Sequence, residues 1–138
     1  MPAPSLQVRN YMSTRFATLR ENQDITEAIK LFTQRDLFGA AVLDNIGNLV
    51  GVLSVTDCIG QTIKNGFDAG SHAPISALMS KDVRTVDVDD NIMDVAKMFM
   101  EEPYRRYPVI DDNRVVGVIT RLEVLKGLFK VSQSGVAV

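Results

Sequence analysis

One pattern of residues occurs twice along this chain of 138 residues, and the repetition limits the folds that the chain can adopt. The segment 8–13 (VRNYMS) resembles 75–80 (ISALMS), 67 positions later. After a gap of one residue, 50–52 (VGV) matches 116–118 (VGV) at a spacing of 66. Between these two matches, polar residues also pair in order at the spacing of 67: Thr18 with Thr85, Lys30 with Lys97 and Asp44 with Asp111. An ordered series of this kind indicates a duplication, so the two halves are predicted to share one fold.

Apolar spacing and turn residues predict the same elements in each half: a short helix, a short strand, a helix, two strands and a closing helix. In the first half, Asp24 and Glu27 predict a capping box that starts the middle helix. The runs 40–44 (AAVLD) and 49–53 (LVGVL) predict a β-hairpin with glycine at its bend, and residues 107–119 are its counterpart. The chain is therefore predicted to be an α/β (α+β) protein.

Each half is roughly 60 to 65 residues long, a size at which an isolated domain is only marginally stable. We therefore expect the halves to pack against each other about a pseudo-twofold axis. The predicted organisation is a first repeat at 1–66, a connecting loop at 67–74, a second repeat at 75–131 and a C-terminal tail at 132–138.

The composition favours some classes of partner over others. There are 15 basic and 17 acidic residues, without a basic block that would follow a nucleic acid backbone. The single cysteine, Cys58, cannot form an intrachain disulfide, which favours a reducing compartment. The sequence has neither a leader-like start nor an apolar run of membrane-spanning length. We therefore expect a cytoplasmic protein that has neither nucleic acid nor membrane as a partner.

The residues most often used in catalysis are isolated in this sequence. Cys58 has no base near it along the chain, and His72 has no second histidine or cysteine with which to form a metal set. We interpret Cys58 as a small buried residue and His72 as an exposed one. The sequence thus predicts no catalytic residue, no metal site and no enzyme activity.

The segments 51–57 (GVLSVTD) and 117–123 (GVITRLE) carry the candidate chemistry. Each runs from a strand into a helix start, where glycine permits close approach and exposed amides favour an anion. The carboxylate three positions after the hydroxyl residue can accept hydrogen bonds from two ribose hydroxyls. Alternatively, hydroxyl and carboxylate form a capping box that serves only the helix. Both interpretations stay open at this point.

The duplicated plan and these two segments resemble the cystathionine β-synthase (CBS) domain family, a tandem pair of which forms a Bateman module. The resemblance covers about residues 6–130. It implies two βαββα-like repeats and a regulatory module that binds an adenosine-containing ligand in the cleft between them, with no required cofactor. The candidate ligands are AMP, ADP, ATP and S-adenosylmethionine.

The resemblance also implies partners. CBS modules often pair, so we expect a homodimer formed through apolar residues of the closing helices, and a protein whose activity the module regulates. The dimer candidates are Ile59, Ile63, Leu125 and Leu128.

The family pattern implies a role for each matching residue of the two segments. Asp57 is expected to bind a ribose, with Ser54 and Thr56 near the ribose or a phosphate. The matching segment of the second half supplies Thr120, Arg121 and Glu123. The glutamate departs from the usual aspartate by one methylene, which indicates an altered or unused site in that half.

Two further strands of the family pattern contribute candidates. Thr18 and Thr85 match the first strand, whose residues flank the adenine, although β-branched residues are common in any strand. The segment 104–111 (YRRYPVID) resembles the second strand, where backbone groups read the adenine edge and a preceding cation meets a phosphate. Its candidates are Arg105, Arg106, Tyr107 and Pro108, and the first half has Ala40 in the equivalent strand. The two arginines form either a bidentate phosphate clamp or a solvated surface pair.

A second hypothesis is a structural or protein-interaction module with vestigial nucleotide clefts. The longer acid Glu123 and the small residues Ala40 and Ala41 favour this alternative. Binding of AMP, ATP or S-adenosylmethionine would distinguish the two hypotheses.

Overall fold

The computed structural model describes residues 5–64 and 72–134 of the chain. Contacts divide the chain into two compact units. The Asp57 unit comprises residues 17–83, and the Glu123 unit comprises residues 1–16 together with 84–138. The predicted connecting loop at 67–74 lies outside the described residues up to position 71, and the predicted tail lies outside them from position 135.

The Asp57 unit contains a three-stranded sheet and two helices. Its elements are β1 (Thr18–Arg20), α1 (Ile25–Arg35), β2 (Gly39–Leu43), β3 (Leu49–Ser54) and α2 (Val55–Lys64). The central strand β2 runs parallel to β1 and antiparallel to β3. This order follows from the sequence, because the hairpin pairs β2 with β3 and the α1 crossover returns the chain parallel to β1.

The Glu123 unit repeats the same plan. Its elements are β4 (Val86–Asp87), α3 (Ile92–Glu101), β5 (Arg106–Asp111), β6 (Arg114–Thr120) and α4 (Arg121–Gln133). The strand order is β4-β5-β6, with the first pair parallel and the second antiparallel. The predicted mixed α/β fold with two equivalent repeats is therefore confirmed.

Local signals in the sequence explain where these elements begin and turn. The Asp24 carboxylate accepts a hydrogen bond from the Thr26 amide at 3.0 Å and caps α1, as predicted. Glu27 is exposed and does not return a bond to Asp24 in the described structure, so only half of the predicted box forms. At the hairpin bends, Gly47 has φ 91°, while the second hairpin uses left-handed residues at the 112–113 turn.

Each compact unit contains the segment that precedes the other repeat in sequence. A short 3-10 turn at Val8–Asn10 brings Val8 into the core of the Glu123 unit, and the equivalent turn at Ile75–Ala77 brings Ile75 into the core of the Asp57 unit. Both apolar side chains are fully buried. The first residues of each repeat thus stabilise the sheet of the other repeat by burying apolar surface.

These preceding segments also explain one glycine in each sheet. Ser80 exchanges two 2.9 Å backbone hydrogen bonds with Val52 in β3. A Cβ atom added to Gly51 would lie 2.6 Å from Met79 Sδ and 2.8 Å from the Ser80 carbonyl oxygen. Gly117 stands in the same relation to Met12 and Ser13, at 2.8 Å for both atoms. The close approach expected at the two glycines is therefore made by the protein's own chain.

Candidate functional site

The Asp57 edge is the end of the first sheet at which β2 begins and β3 ends. The register places Gly39 opposite Ser54 and Ala40 opposite Leu53. Because Thr18, the first residue of β1, pairs with Ala41, the residues Gly39 and Ala40 extend beyond β1. The side of β2 that faces away from β3 is consequently not covered by β1 at this edge.

Ser54 and Asp57 bond to each other at the start of α2. The Ser54 amide donates to Asp57 Oδ2 at 2.9 Å, and the Asp57 amide donates to Ser54 Oγ at 3.1 Å. This reciprocal arrangement is the capping box that the sequence left open as an alternative. A carboxylate has about four lone-pair sites, so one amide donor leaves acceptor capacity for the hydroxyls of a ligand. Capping and ligand binding are therefore compatible roles for Asp57.

The Glu123 edge is the equivalent end of the second sheet. Arg106 lies opposite Thr120, and Tyr107 lies opposite Ile119. Val86, the first residue of β4, pairs with Val109, so the stretch 106–108 extends beyond its parallel neighbour. The two edges thus have the same backbone geometry, with the central strand longer than the first strand.

Thr120 and Glu123 form a capping box at the start of α4. The Thr120 amide donates to Glu123 Oε2 at 2.9 Å, and the Thr120 hydroxyl also donates to this oxygen. Glu123, although longer, accepts from the amide equivalent to the one that bonds to Asp57 in the first unit. Its extra methylene therefore does not prevent the arrangement at the helix start.

The structure brings most of the predicted site residues to these two edges. Thr18 and Thr56 are exposed, whereas Thr85 is half-buried and immediately precedes β4. Three predicted residues, Ala40, Tyr107 and Pro108, are buried. The Tyr107 ring packs in the core of its unit, so only the backbone of this residue remains for contact with a ligand at the edge.

The hydroxyl of Tyr107 bonds to Glu102, which in turn bonds to Arg84. The Tyr107 hydroxyl donates to Glu102 Oε1 at 3.2 Å, and burial raises the pKa of the phenol to about 12. Arg84 Nε lies 3.1 Å from both oxygens of Glu102 and completes the group. This network could not be predicted from the sequence, because Arg84 and Glu102 are 18 residues apart and belong to no motif.

Three arginines distinguish the Glu123 edge. Arg106 is half-buried, and burial, followed by the nearby Arg105 charge, lowers the pKa of its guanidinium. Arg105 and Arg121 are exposed, and Arg121 Nη2 donates to the Tyr104 carbonyl oxygen at 3.4 Å. At the positions of these three arginines, the first repeat has Phe38, Gly39 and Val55.

An apolar groove lies between α1 and α2 of the Asp57 unit, with a volume of about 580 Å³. Its walls include Phe32, Leu37, Phe38, Cys58, Ile59 and Ile63. Cys58 is buried, and this burial raises the pKa of its thiol to about 11, which keeps the group protonated at neutral pH. Two of the predicted dimer residues therefore line this groove.

The described ranges 5–64 and 72–134 contain no cluster of three or more His, Cys, Asp or Glu residues that could hold a metal ion. His72 is mostly exposed, and its Nδ1 lies 3.2 Å from Asp24 Oδ2. Within the same ranges, no helix has the length and apolar character needed to cross a membrane.

Comparison with known proteins gives one family. The model of the CBS domain matches the chain twice, at residues 8–62 and 75–130. The CBS domain-containing protein YhcV of Bacillus subtilis is 30% identical over 112 residues, covering 81% of this chain and 78% of YhcV. The uncharacterized protein MJ1232 of Methanocaldococcus jannaschii is 33% identical over 124 residues, covering 89% of this chain and 40% of that protein. The chain spans about two fifths of the first curated relatives that it matches.

Solved structures agree with the fold. The CBS domain pair of protein MJ0100, in complex with 5′-methylthioadenosine and S-adenosyl-L-methionine, has a TM-score of 0.76 and 27% identity, covering 91% of this chain and 97% of that one. The protein CBSX2 in complex with AMP has a TM-score of 0.78 and 24% identity, covering 93% and 99%. The second likeness supports the fold alone.

Proposed function

Because this chain belongs to the CBS domain family, we propose that it is a regulatory module that binds an adenosine-containing ligand at the strand ends of its repeats. The supporting observation is the arrangement at each edge: a hydroxyl and a carboxylate at a helix start, beside a central strand that extends past its neighbour. The CBS pair of MJ0100, which holds two adenosine derivatives, supports this ligand class.

The proposed contacts follow from the chemistry of adenosine. The carboxylates of Asp57 and Glu123 accept hydrogen bonds from ribose hydroxyls, while Ser54, Thr56 and Thr120 bond to the ribose or to a phosphate. Uncovered backbone groups of Ala40, Tyr107 and Pro108 bond to the adenine edge, with Thr18 and Thr85 beside the ring. Arg105, Arg106 and Arg121 bind phosphate oxygens, for which a guanidinium fork is well shaped. AMP, ADP, ATP and S-adenosylmethionine are the candidate ligands.

The proposed role is regulation without catalysis. A ligand shifts a conformational equilibrium only by the difference in its affinity for the two states, so binding is expected to alter the contact with a target protein. The raised pKa of the Cys58 thiol supports a non-catalytic role, because little thiolate is present at neutral pH. A cytoplasmic location is part of the proposal, since the one cysteine is a free thiol.

A matched pair of variants tests ligand binding. Asp57→Asn keeps an oxygen for the Ser54 amide but replaces the second acceptor by a donor, so it should remove the stabilisation of the protein by 5′-methylthioadenosine. Asp24→Asn makes the same change at the α1 cap and should retain it. A ligand at one hundred times its dissociation constant stabilises a protein by about 2.7 kcal/mol, which thermal unfolding detects. Unchanged binding by Asp57→Asn would contradict the assignment of this residue.

The alternative of a protein-interaction module with vestigial clefts is favoured by one observation. Both capping boxes are complete within the protein, so the helix starts do not require a ligand. Calorimetry separates the two functions: absence of heat with AMP, ATP, S-adenosylmethionine and 5′-methylthioadenosine would support the interaction module.

We further propose a homodimer formed through the closing helices. Ile59 and Ile63, one turn apart in α2, are 54% and 66% exposed, and Leu125 in α4 is 63% exposed. Large apolar side chains exposed together on one helix favour a protein contact surface. Leu128 is half-buried and packs in part against the core of its own unit. Light scattering should give the mass of two chains, and Ile59→Lys or Leu125→Lys should give one chain. Ile46→Lys, at a hairpin turn and 65% exposed, is the matched control.

A further inference from the structure

The two edges share a backbone but differ in charge at three equivalent positions. At the Glu123 edge, Arg106 lies opposite Thr120 in the hairpin, with Arg105 before it and Arg121 at the first turn of α4. At the Asp57 edge, Gly39 lies opposite Ser54, with Phe38 before it and Val55 at the first turn of α2. Three guanidinium groups and one carboxylate at one edge thus correspond to a single carboxylate at the other.

Charges just behind the edges do not reduce this difference. In the Asp57 unit, Arg35 ends α1 and is followed by Asp36, so the two adjacent charges have opposite sign. In the Glu123 unit, Glu102 is engaged by Arg84 through both carboxylate oxygens. Neither of these two pairs therefore cancels the excess of guanidinium groups over carboxylates at the equivalent positions of the Glu123 edge.

The Glu123 edge suits a ligand that carries phosphate groups. Guanidinium groups bind phosphate oxygens through two parallel hydrogen bonds, and the amides at the start of α4 add a positive dipole. Arg106 is half-buried, so solvent screens its charge less than that of an exposed arginine. The lowered pKa of this guanidinium agrees with a cation that lacks a full solvent shell.

The Asp57 edge suits an adenosine ligand without phosphate. Phe38 is 70% exposed beside the start of β2, and Val55 packs partly against the core at the start of α2. These side chains offer apolar contact where the other unit offers cations. The Asp57 carboxylate repels a phosphate dianion here, because the equivalent positions of this edge lack the arginines that offset Glu123 at the other edge. A thioether at the 5′ position meets no such repulsion.

We infer that the two edges select different classes of adenosine ligand: the Glu123 edge binds adenosine 5′-phosphates, and the Asp57 edge binds 5′-thioether derivatives that carry no phosphate. The inference rests on the proposed function and adds to it a division of ligands between the repeats. A chain with this division responds separately to the phosphorylated and the unphosphorylated pools of adenosine compounds.

Calorimetry with ATP and with 5′-methylthioadenosine tests the division in the full chain. Arg105→Gln combined with Arg106→Gln should weaken ATP binding about tenfold or more, because each lost hydrogen bond to a charged group costs about that factor. The same variant should bind 5′-methylthioadenosine within about twofold of the wild type. Arg121→Gln, at an exposed helix start, repeats the test should the double variant prove unstable by thermal unfolding.

The reciprocal variant places the cations in the other unit. In a protein that also carries Arg105→Gln and Arg106→Gln, Phe38→Arg combined with Gly39→Arg should strengthen ATP binding. The same substitutions should weaken the binding of 5′-methylthioadenosine. Equal losses of both ligands, or ATP affinity that is independent of the arginines, would overturn the inference while leaving the proposed function intact. Absence of binding of either ligand to the wild type would instead overturn the proposed function.

Discussion

In the Asp57 unit the strand end that carries Ser54 lies opposite Gly39, whereas in the Glu123 unit the equivalent strand end lies opposite Arg106. The surrounding architecture is the same in both units: the strand order, the capping boxes and the glycine under a methionine are repeated. The duplication has therefore kept the residues that set the backbone and changed those that determine the charge at the edges. Residues of the first kind should respond equally to mutation in the two units, and residues of the second kind should not.

The largest expected effect is at Gly51 and Gly117, which lie against residues 79–80 and 12–13 respectively. Gly51→Ala and Gly117→Ala each place a Cβ atom within 2.8 Å of a backbone oxygen, which requires a shift of the segment and should cost about 2–3 kcal/mol of unfolding free energy. Denaturant unfolding measures both. A large cost in one unit and none in the other would break the equivalence of the units.

Gly60→Ala is the control for this pair. Nothing lies within 4 Å of a Cβ atom added at this position, and the residue is inside α2. Alanine should therefore raise stability by about 0.5–1 kcal/mol through helix propensity alone. Destabilisation at position 60 would mean that the glycine effects do not arise from the close contacts.

An intermediate effect is expected at the two capping boxes. Ser54→Ala and Thr120→Ala each remove the hydroxyl that caps a helix start, and each should cost about 1 kcal/mol. Similar losses in thermal unfolding would support the equivalence of the two boxes, despite the different lengths of the acids. A clearly smaller loss for Thr120→Ala would show that Glu123 holds its helix start less well than Asp57 does.

The smallest expected effect is a difference between the two units in how their stability responds to low pH. Asp24 caps α1, whereas the uncharged Asn91 caps α3. Hydrogen bonds from Thr26, and then the contact with His72, lower the pKa of Asp24 from 3.8 to about 2. A carboxyl group whose pKa is lowered by folding stabilises the folded state at pH values above its pKa in the unfolded chain. That contribution is lost as the pH falls from about 4 towards 2.

The variants for this comparison exchange the two caps. The unfolding midpoint of Asp24→Asn should lie below that of the wild type at pH 6, and the two should converge as the pH approaches 2. Asn91→Asp should add acid sensitivity to the other unit. Parallel pH profiles for wild type and Asp24→Asn would contradict the role assigned to the Asp24 charge.

Much of the fold could be predicted because its signals are local. The helix cap at Asp24, the glycine bend at position 47 and the alternating runs of the hairpins depend on residues close together in sequence. It could not be predicted that the first residues of each repeat pack in the unit of the other repeat. The similarity between 8–13 and 75–80 shows that the two segments are equivalent, but it does not show which sheet each one joins. Only the packing of Val8 and Ile75 reveals this.

The candidate site could be predicted as a set of residues but not as a geometry. The segment 51–57 indicated both a capping box and a ribose contact, and the structure contains the box. The position of Arg106 opposite Thr120 depends on the register of β5 and β6, which shifts between Val109 and Ile110. Such an irregularity has no clear sequence signal. The sequence therefore indicated arginines in one half and none in the equivalent segment of the other, and the strand pairing added that Arg106 lies opposite Thr120.

The most direct measurement of the central claim is a nuclear magnetic resonance titration of the wild-type chain, with adenosine ligands added to the isotope-labelled protein. We expect 5′-methylthioadenosine to shift the amide signals of Gly39, Ser54 and Asp57, and ATP to shift those of Arg106, Thr120 and Glu123. Signals that move only along the groove between α1 and α2, or that do not move with either ligand, would contradict this expectation.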